Sequence, residues 1–511
     1  MPIIADPSSG EGLIHRPNVE DSSEWSIIAG PFMERLLSKG GIGQLHQHVT
    51  IGSLPEDVLL NFFKYISDEM YYSYRSNEEW PMLVHVCQRW RNLAFRYPRH
   101  LNLELIYRPS ERSVKVMLDI WPELPIYIWA FDFTMEETTD NVVAALRLNH
   151  RVSGIRFNQL TNSTWKTFAP LMEQPFPALT HFSLRPRPYF PKHVISRSFL
   201  GGSAPRLQDL DLDSLSFPAL PNLLLAATHL VRLQYDDIPS SGYISPRAMV
   251  TGLSALTRLE SLSLTFQSPG DLPDRTIRIP LPHTRILLPS LTYLRFQGAP
   301  EYMEDLVAQV DAPLLESIVI ELFLQEVLKV SELAKFLRRA DKLSLAHHAR
   351  VIFKSVSICI TLSSPKLLFR HIVPKTLMLD LTCDVSALRL SCLAQFCASS
   401  LPTLTPFESL YIDIPIYFAS EDFIDNPDPQ WLELLRIFTA VKHLHLSKTV
   451  ARHVALALRG LLVGQVAEVL PALENVFIPG LEPSGRVLEA ISDFTDARRH
   501  SGHPVSIRDW E

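Results

Sequence analysis

The sequence predicts an α/β protein in which a small all-helical N-terminal domain precedes a solenoid with parallel strands inside and helices outside. Two observations predict it: an apolar helical stripe between residues 51 and 101, and a short Leu-containing pattern that recurs through the rest of the chain. A chain of 511 residues is long enough for two or three domains. Its hydrophobic content of 46% and charged content of 20% are typical of soluble globular proteins.

The helical domain is predicted over residues 51–101, after a variable and partly disordered segment, 1–50. Ser53 is placed to N-cap a helix, Pro55 suits the first turn, and Glu56 completes a Ser-x-x-Glu capping box. An apolar stripe follows at helical spacing: Val58, Leu59, Phe62, Phe63 and Ile66. A second apolar set precedes Pro98: Leu83, Val84, Val86, Cys87, Trp90, Leu93 and Ala94. Two or three such short helices have more apolar surface than they can bury, which indicates a partner site.

The order Leu54-Pro55-x-x-Val58-Leu59, then Val86-Cys87-x-x-Trp90-Arg91, then Pro98-Arg99 resembles an F-box. The most similar type is the F-box-like family abundant in mushroom-forming fungi, whose second helix starts with a motif similar to Pro81-Met82-Leu83-Val84. The resemblance implies that this domain binds an Skp-type adaptor and, through it, a cullin. The implied adaptor-binding residues are Leu54, Pro55, Val58, Leu59, Phe62, Ile66 and Trp90.

The solenoid is predicted over residues 151–511 from the pattern φ-x-x-φ-x-φ, in which φ is usually Leu. Clear copies start at Leu179, Leu207, Leu259, Leu291 and Leu315, and looser ones at Val152, Leu230, Ala340, Thr376, Phe407, Val441 and Leu473. The mean period is about 29 residues, at the long end of leucine-rich repeats. Each φ-x-φ predicts a short strand with one buried face, and helical patterns separate the strands. The alternative is a general α/β domain with Leu-rich strands.

The repeats are predicted to be irregular. Regular leucine-rich repeats place Asn or Cys eight residues after the first Leu, and the clear copies have Arg187, Leu215, Gln267, Ala299 and Phe323 there. Residues 102–150 are predicted to be a joint or cap with a helix over 108–118, a strand over 124–130 and a helix over 140–148.

The x residues of each strand point away from the core and define a candidate target-binding surface on the concave face. The predicted residues are Asp209, Asp211, Asp213, Arg232, Asp236, Tyr293 and Arg295, and the same frame adds Gln234, Gln297, Ser409, Tyr411, Asp413, His443 and His445. Aspartates at alternate positions repel one another, so a basic partner segment is expected there. The alternative is a solvated strand face that only needs polar side chains.

Catalytic residues, metal ligands, cofactors and a small-molecule substrate are not predicted. The sequence lacks G-x-x-x-x-G-K-[ST], H-E-x-x-H and G-x-S-x-G. His443-x-His445 offers only two metal ligands, and Cys392 and Cys397 are interpreted as core thiols. A net charge of −7 makes nucleic acid and anionic membranes unexpected partners, and no apolar run is long enough to span a bilayer. The N-terminus does not resemble a signal peptide, and five Cys at irregular spacing favour a reducing compartment, the cytosol or nucleus.

Together these features predict a non-catalytic protein, the substrate-recognition subunit of an Skp–cullin–F-box ubiquitin ligase. The F-box would hold the adaptor and the repeats a target protein of unknown identity, so that the gain is in effective concentration. The alternative is a leucine-rich-repeat interaction scaffold with a vestigial F-box and no ligase role. A third possibility, an enzyme on a Leu-rich α/β fold, is disfavoured by the missing motifs.

Overall fold

The computed structural model divides the chain into two compact units, Met1–Asn102 and Leu103–Glu511. We refer to them as the N-terminal and C-terminal units. The structure describes residues 54–70, 84, 86–97, 105–109, 115, 124–131, 133, 135–187, 194–267, 285–324, 330–340, 343, 348–363, 376–383, 386–400, 407–415, 430–459, 461, 465–480 and 485–509. The predicted N-terminal segment 1–50, the capping residue Ser53 and nearly all of the predicted helix 108–118 lie outside these residues.

The N-terminal unit contains two described helices, α1 (Glu56–Met70) and α2 (Gln88–Arg96). The Trp90 ring of α2 packs edge-on against the Phe63 ring of α1, with 4.8 Å between the ring centroids. Leu59 and Phe63 are fully buried, and Trp90 is 4% exposed. Leu59 and Phe63 of the α1 stripe therefore form a core with Trp90 of α2.

The C-terminal unit is a mixed α/β fold with a 16-stranded sheet, and it has the strand–helix repeat of a leucine-rich-repeat-like solenoid. Its strands are β1 Leu105–Tyr107, β2 Ile126–Ala130, β3 Val152–Leu160, β4 His181–Pro186, β5 Asp209–Asp213, β6 Arg232–Ile238, β7 Ser261–Phe266, β8 Ile286–Leu287, β9 Tyr293–Gly298, β10 Val310–Asp311, β11 Ser317–Phe323, β12 His348–Phe353, β13 Ser357–Ser363, β14 Thr376–Thr382, β15 Ser409–Asp413, β16 His443–Leu446, β17 Asn475–Ile478 and β18 Ser506–Asp509. Its helices are α3 Glu136–Leu146, α4 Asn162–Met172, α5 Leu220–Ala226, α6 Pro246–Leu253, α7 Pro300–Val307, α8 Ser331–Arg339, α9 Ser386–Ser400, α10 Gln430–Ile437, α11 Lys448–Arg459 and α12 Arg486–His500.

The sheet order follows the chain from β1 to β7 and continues β9, β11, β14, β13, β12, β15, β16, β17, β18. Strands β8 and β10 pair separately as a small parallel ladder. The segment predicted as a joint contributes β1, β2 and α3, and β2 pairs in parallel with β3. It therefore continues the same sheet as the repeats.

The predicted repeat frame coincides with the strands. All five clear copies and six of the seven looser ones fall on strands, and in the clear copies the strand begins two residues after the first Leu. These five first leucines are 0% exposed: Leu179, Leu207, Leu259, Leu291 and Leu315. Each therefore lies in the core beside the start of its strand, which explains the periodicity of the sequence.

The prediction of a purely parallel sheet is wrong at β13, which pairs antiparallel with both β12 and β14. The copy placed at Ala340 is also wrong, because β12 begins only at His348. A short turn causes the reversal, in which the Lys354 backbone N–H donates to the Ser357 carbonyl at 2.8 Å. Apolar alternation does not encode strand direction, so the leucine pattern could not reveal this hairpin.

Side chains other than Asn tie neighbouring repeats together. The buried Tyr235 hydroxyl accepts from the Phe217 N–H at 3.0 Å and donates to the Leu215 carbonyl at 2.8 Å. At the next turn, the Asp237 N–H donates to Thr265 Oγ1 at 2.8 Å, and Asp237 has a left-handed φ of 49°. These contacts satisfy loop backbone groups that an Asn ladder satisfies in regular repeats.

Candidate interaction surface

The predicted adaptor-binding residues of the N-terminal unit divide into buried and exposed groups. Leu59 and Trp90 pack inside the unit, so they support the helix pair and present almost no surface to a partner. Pro55 and Val58 are exposed, with 43% of Val58 accessible, and Leu54 and Phe62 are half-buried. Ile66 lies in α1, and its side chain is outside the described residues.

The apolar surface of this unit extends beyond the predicted residues. Val86, which precedes α2, is 52% exposed. Arg89 of α2 donates to the Leu54 carbonyl at 2.6 Å, and Arg91 donates to the Val84 carbonyl at 2.8 Å. These two arginines fix the segments that carry Leu54 and Val84 against α2. Val58 and Val86 thus project from a structured helix pair.

The second candidate surface is the face of the long sheet that carries the polar x residues, which we call the open face. On β5 the buried Leu210 and Leu212 alternate with half-buried Asp209, Asp211 and Asp213. The strand registers align the middle open-face residue of each strand into one continuous row, the central row, which passes from β11 to β12 through β14 and β13. Its members include Trp129, Arg156, Ser183, Asp211, Gln234, Ser263, Arg295, Val319, Arg350, Tyr411, His445 and Phe477.

The predicted aspartates are ion-paired or hydrogen-bonded within the sheet. Asp209 accepts from Arg232 Nη1 at 2.7 Å. Asp211 Oδ2 accepts from Arg185 Nη2 at 2.9 Å and from the Ser183 hydroxyl at 2.9 Å. The aspartates therefore have counterions from the neighbouring strands β4 and β6, which sequence spacing could not show. These ion pairs reduce the repulsion between the aspartates, on which the expectation of a basic partner segment was based.

The other two predicted aspartates, Asp213 and Asp236, also accept hydrogen bonds from neighbouring side chains. Asp236 accepts from Gln234 at 2.6 Å and from Ser263 at 2.9 Å. Asp213 accepts from the Ser214 hydroxyl at 2.7 Å. Burial raises the pKa of Asp213, and the nearby carboxylates of Asp237 and Asp236 raise it further. Burial likewise raises the pKa of Asp209, although Arg232 opposes the shift.

Tyr293 and Arg295 lie on β9, where the register aligns them with Ser261 and Ser263 of β7. Arg295 pairs with Glu321 of β11 at 3.2 Å. Burial raises the pKa of the half-buried Tyr293. The two residues continue the open face but are separated from the β5–β6 charges by β7.

Sequence reasoning missed an aromatic and basic group at the start of the sheet. Trp129 of β2 lies beneath two guanidinium groups, with Arg108 Cζ 4.9 Å and Arg156 Cζ 5.8 Å from its ring centroid. The Tyr127 ring lies across Gly154 of β3, where a Cβ would come within 2.1 Å of Tyr127 Cδ2. The alternation Ile-Tyr-Ile-Trp over 126–129 carried the signal, since it places both aromatic rings on the open face.

Stacked rings occupy the open face at the other end of the sheet. His445 lies between Tyr411 and Phe477, with centroid distances of 4.2 and 4.4 Å and interplanar angles of 13° and 5°. The pKa of His445 is lowered to about 4, chiefly by burial and also by the nearby His443 and His348. His443 and His445 are both half-buried on this face. Phe477 was missed, although it occupies the same repeat position as Tyr411 and His445.

The described residues contain no group of three or more His, Cys, Asp or Glu that could hold a metal ion. Cys392 and Cys397 are 1% and 0% exposed, which confirms their interpretation as core thiols. No helix in the described part of the chain is both long and apolar enough to cross a membrane. The open face and the apolar surface near α1 are the two candidate surfaces that remain.

Comparisons with known proteins find similarity only among solved structures. No protein-family model matches the chain. No curated protein matches it either. Among solved structures, it is similar to the leucine-rich repeat-containing protein LegL7 from Legionella pneumophila, with 14% identity, over 65% of this chain and 94% of that chain, at a TM-score of 0.25. At that TM-score the similarity carries no argument, and the repeat character rests on the strand–helix pattern described above.

Proposed function

We propose that this protein is the substrate-recognition subunit of an Skp–cullin–F-box ubiquitin ligase. The N-terminal unit binds an Skp-type adaptor, and the open face of the C-terminal unit binds the target protein. The protein itself breaks and forms no bonds, because its contribution is to raise the effective concentration of target lysines near the ubiquitin-conjugating enzyme. The cytosol and nucleus are the compartments in which it would work.

The observation that carries this proposal is apolar surface left over on a small helical unit. Leu59, Phe63 and Trp90 already fill the unit's own core. Val58 and Val86 nevertheless remain 43% and 52% exposed. Exposed valines on the described helix pair, whose own contact is filled by Leu59, Phe63 and Trp90, favour a protein partner over a purely structural role. The F-box-like order of these same residues supports the choice of an Skp-type adaptor.

A second candidate function is an interaction scaffold without a ligase role. The open face favours this candidate independently, because it presents a continuous row of polar and aromatic side chains across the sheet. Sheets in solenoid repeats commonly use this face to bind partners. The two candidates differ only in whether the N-terminal unit binds the adaptor.

Replacing Val58 with Glu tests the ligase proposal. A charge at a desolvated apolar contact is costly, so we expect adaptor co-purification with the full chain to fall by about tenfold or more. Leu456→Glu is a matched control, since Leu456 lies on α11 and is also 43% exposed. It should leave adaptor recovery unchanged.

Two results would contradict the ligase proposal. One is recovery of the adaptor by Val58→Glu at the wild-type level. The other is failure of the wild-type chain to bind any Skp-type adaptor, which would leave the scaffold as the better candidate. Circular dichroism of each variant verifies that the helices are retained.

A further inference from the structure

A third exposed surface lies where β2 ends and α3 begins. Phe131 directly follows β2, and Met135 directly precedes α3. Phe131 is 63% exposed and Met135 is 69% exposed, which makes them the most exposed large apolar side chains in the described part of the chain. Their backbones lie within about 14 Å of each other, because they are only four positions apart. Single exposed apolar residues are common, but two this close can form one contact with a partner.

The aromatic residue between them anchors the backbone. Phe133 is 6% exposed, and Phe157 of β3 and Phe168 of α4 are buried beside it. The Phe133 ring packs edge-on against both, with 5.6 Å between the ring centroids in each pair. Phe131 and Met135 thus flank a position that is fixed in the core. Anchoring of this kind lowers the entropy cost of binding a partner.

Met135 neither caps α3 nor packs in its core. It is the N-cap residue of the helix and makes no side-chain cap hydrogen bond. Ser, Thr, Asp or Asn at this position would accept a hydrogen bond from the first turn and stabilise the helix. Three other helices also have an apolar N-cap residue, but there it is buried and adds to the core: Ala219 before α5, Ala299 before α7 and Val330 before α8. An exposed methionine at an N-cap has neither role, which favours contact with a partner.

The charge beside these two apolar side chains is negative. Glu136, Glu137 and Asp140 of α3 are exposed. In the described part of the chain, their carboxylates have no hydrogen-bond or ion-pair partner. Residues 131–146 contain no Lys or Arg. The helix dipole stabilises the two glutamates in the first turn, and Asp140 extends the negative charge one turn further along the helix.

These residues together form what we call the β2–α3 surface: Phe131, Met135, Glu136, Glu137 and Asp140. We propose that the β2–α3 surface binds a segment of a partner protein in which apolar side chains are flanked by Lys or Arg. Phenylalanine and methionine are enriched in the buried centres of protein interfaces. The three carboxylates favour a basic segment and disfavour nucleic acid and anionic membranes. The surface shares no residue with the adaptor surface or the open-face rows described above, so the inference does not rest on the proposed function.

Fluorescence anisotropy with the full chain tests the proposal. The probe is a short fluorescein-labelled peptide in which leucines are flanked by lysines. One control peptide has Glu in place of every Lys, and a second has Ser in place of every Leu. We expect each control to bind at least about tenfold more weakly than the Leu–Lys peptide. Equal binding of the three peptides would overturn the proposal.

Paired variants locate the binding. Phe131→Ser combined with Met135→Ser should weaken binding of the Leu–Lys peptide at least about tenfold. Val194→Ser combined with Leu287→Ser is the matched control, because these side chains are 59% and 55% exposed outside the β2–α3 surface. The control should bind like wild type. Equal losses in the two double variants would mean that the peptide binds elsewhere, and would overturn the proposal.

The carboxylates are tested separately. Glu136→Gln combined with Glu137→Gln should weaken binding of the Leu–Lys peptide several-fold and reduce its dependence on salt, because salt screens the charge contacts. Glu301→Gln is the control, since Glu301 is exposed and lies in the first turn of α7. It should change neither quantity. A double variant that binds like wild type would overturn the choice of a basic segment.

Met135→Ser separates a binding role from a structural one. Ser can cap α3, so the midpoint of thermal unfolding of the full chain should stay the same or rise, while binding of the Leu–Lys peptide falls. These opposite signs are not expected of a residue that only supports the fold. A fall in the midpoint would mean that Met135 stabilises the protein, and would overturn its assignment to a partner.

Two measurements with the Phe131→Ser, Met135→Ser variant identify the occupant. In analytical ultracentrifugation it should sediment like wild type. Self-association of wild type that is lost in the variant would assign the surface to a second copy and overturn the choice of a partner protein. The variant should also co-purify with the adaptor at the wild-type level, because the surface lies in the C-terminal unit. Loss of the adaptor would overturn the independence of this surface from the adaptor complex.

Discussion

Two regions of the open face have the same arrangement of parallel strands but different side chains: one region is charged, and the other is aromatic. In the first region, strands β2 to β6, Arg156 stacks on Trp129, and ion pairs such as Arg185–Asp211 and Arg232–Asp209 join neighbouring strands. Strands β15 to β17 instead place the rings of Tyr411, His445 and Phe477 in a stack with nearly parallel planes. Both regions use the same repeat positions, so the surface chemistry is set strand by strand without altering the sheet. The first region is built from paired charges, and the second from close ring packing.

The largest expected effect follows from crowding the first region at Gly154. Gly154→Leu places a side chain where Tyr127 lies, since even a Cβ would be 2.1 Å from Tyr127 Cδ2. We expect the free energy of unfolding to fall by about 1–3 kcal/mol, as overpacking usually costs. Urea unfolding followed by circular dichroism measures it.

The double variant Gly154→Leu with Tyr127→Ala removes the ring from the crowded site. It should recover part of the lost stability if the clash is the cause. A Gly154→Leu protein as stable as wild type would show that the Tyr127 ring moves aside without cost, and that the first region is not pre-organised by packing.

The second region should respond to pH through His445. Its pKa is about 4 in the folded protein and about 6.5 when unfolded, so between these values the unfolded chain binds the extra proton. Stability from this group is therefore complete above about pH 6.5 and is lost as the pH falls towards 4. Allowing for solvent screening at this half-buried site, we expect a loss of up to about 2 kcal/mol.

Denaturant unfolding at several pH values measures this loss. His445→Gln should flatten the dependence between about pH 6.5 and 4, and the exposed His503→Gln should not. Identical pH profiles for wild type and His445→Gln would mean that the ring stack does not disfavour protonation of His445.

The smallest expected effect is the loss of an ion pair in the first region. Arg232 is 58% exposed and pairs with Asp209 at 2.7 Å. Arg232→Gln should lower the free energy of unfolding by less than about 1 kcal/mol, because exposed pairs contribute little and salt screens them. Thermal unfolding at low and high salt measures it. If Arg232→Gln lowered the free energy of unfolding by more than protonation of His445 does, the charged region would contribute more to stability than the ring stack.

Much of the fold could be predicted because the leucine pattern records burial. Leu179, Leu207, Leu230 and Leu259 are fully buried one repeat after another, and the strand follows each at the same offset. The same frame put Asp209, Asp211 and Asp213 on the open face, where the structure has them. The β12–β13 hairpin escaped prediction, because alternating apolar residues such as Ile358 and Ile360 fit a strand of either direction.

The candidate sites were less predictable than the fold. Trp90 and Leu59 match a motif in the sequence, yet they fill the core of the N-terminal unit, and Val58 carries the exposed surface. Arg185 and Asp211 are 26 residues apart, and only the register of β4 and β5 brings them together. Motif position therefore identified the helices, and burial decided which of their side chains a partner can reach.

The sequence by itself determined the repeat frame, the strand positions and the alternation of core and open-face residues, because these depend on local periodicity and hydrophobic burial. Tertiary structure decided the partners of each charge, the ring stack of Tyr411, His445 and Phe477, and the direction of β13. Those features depend on which strands lie side by side and in what register. Neighbours across a sheet are distant in the chain, so local periodicity does not encode the contacts between them.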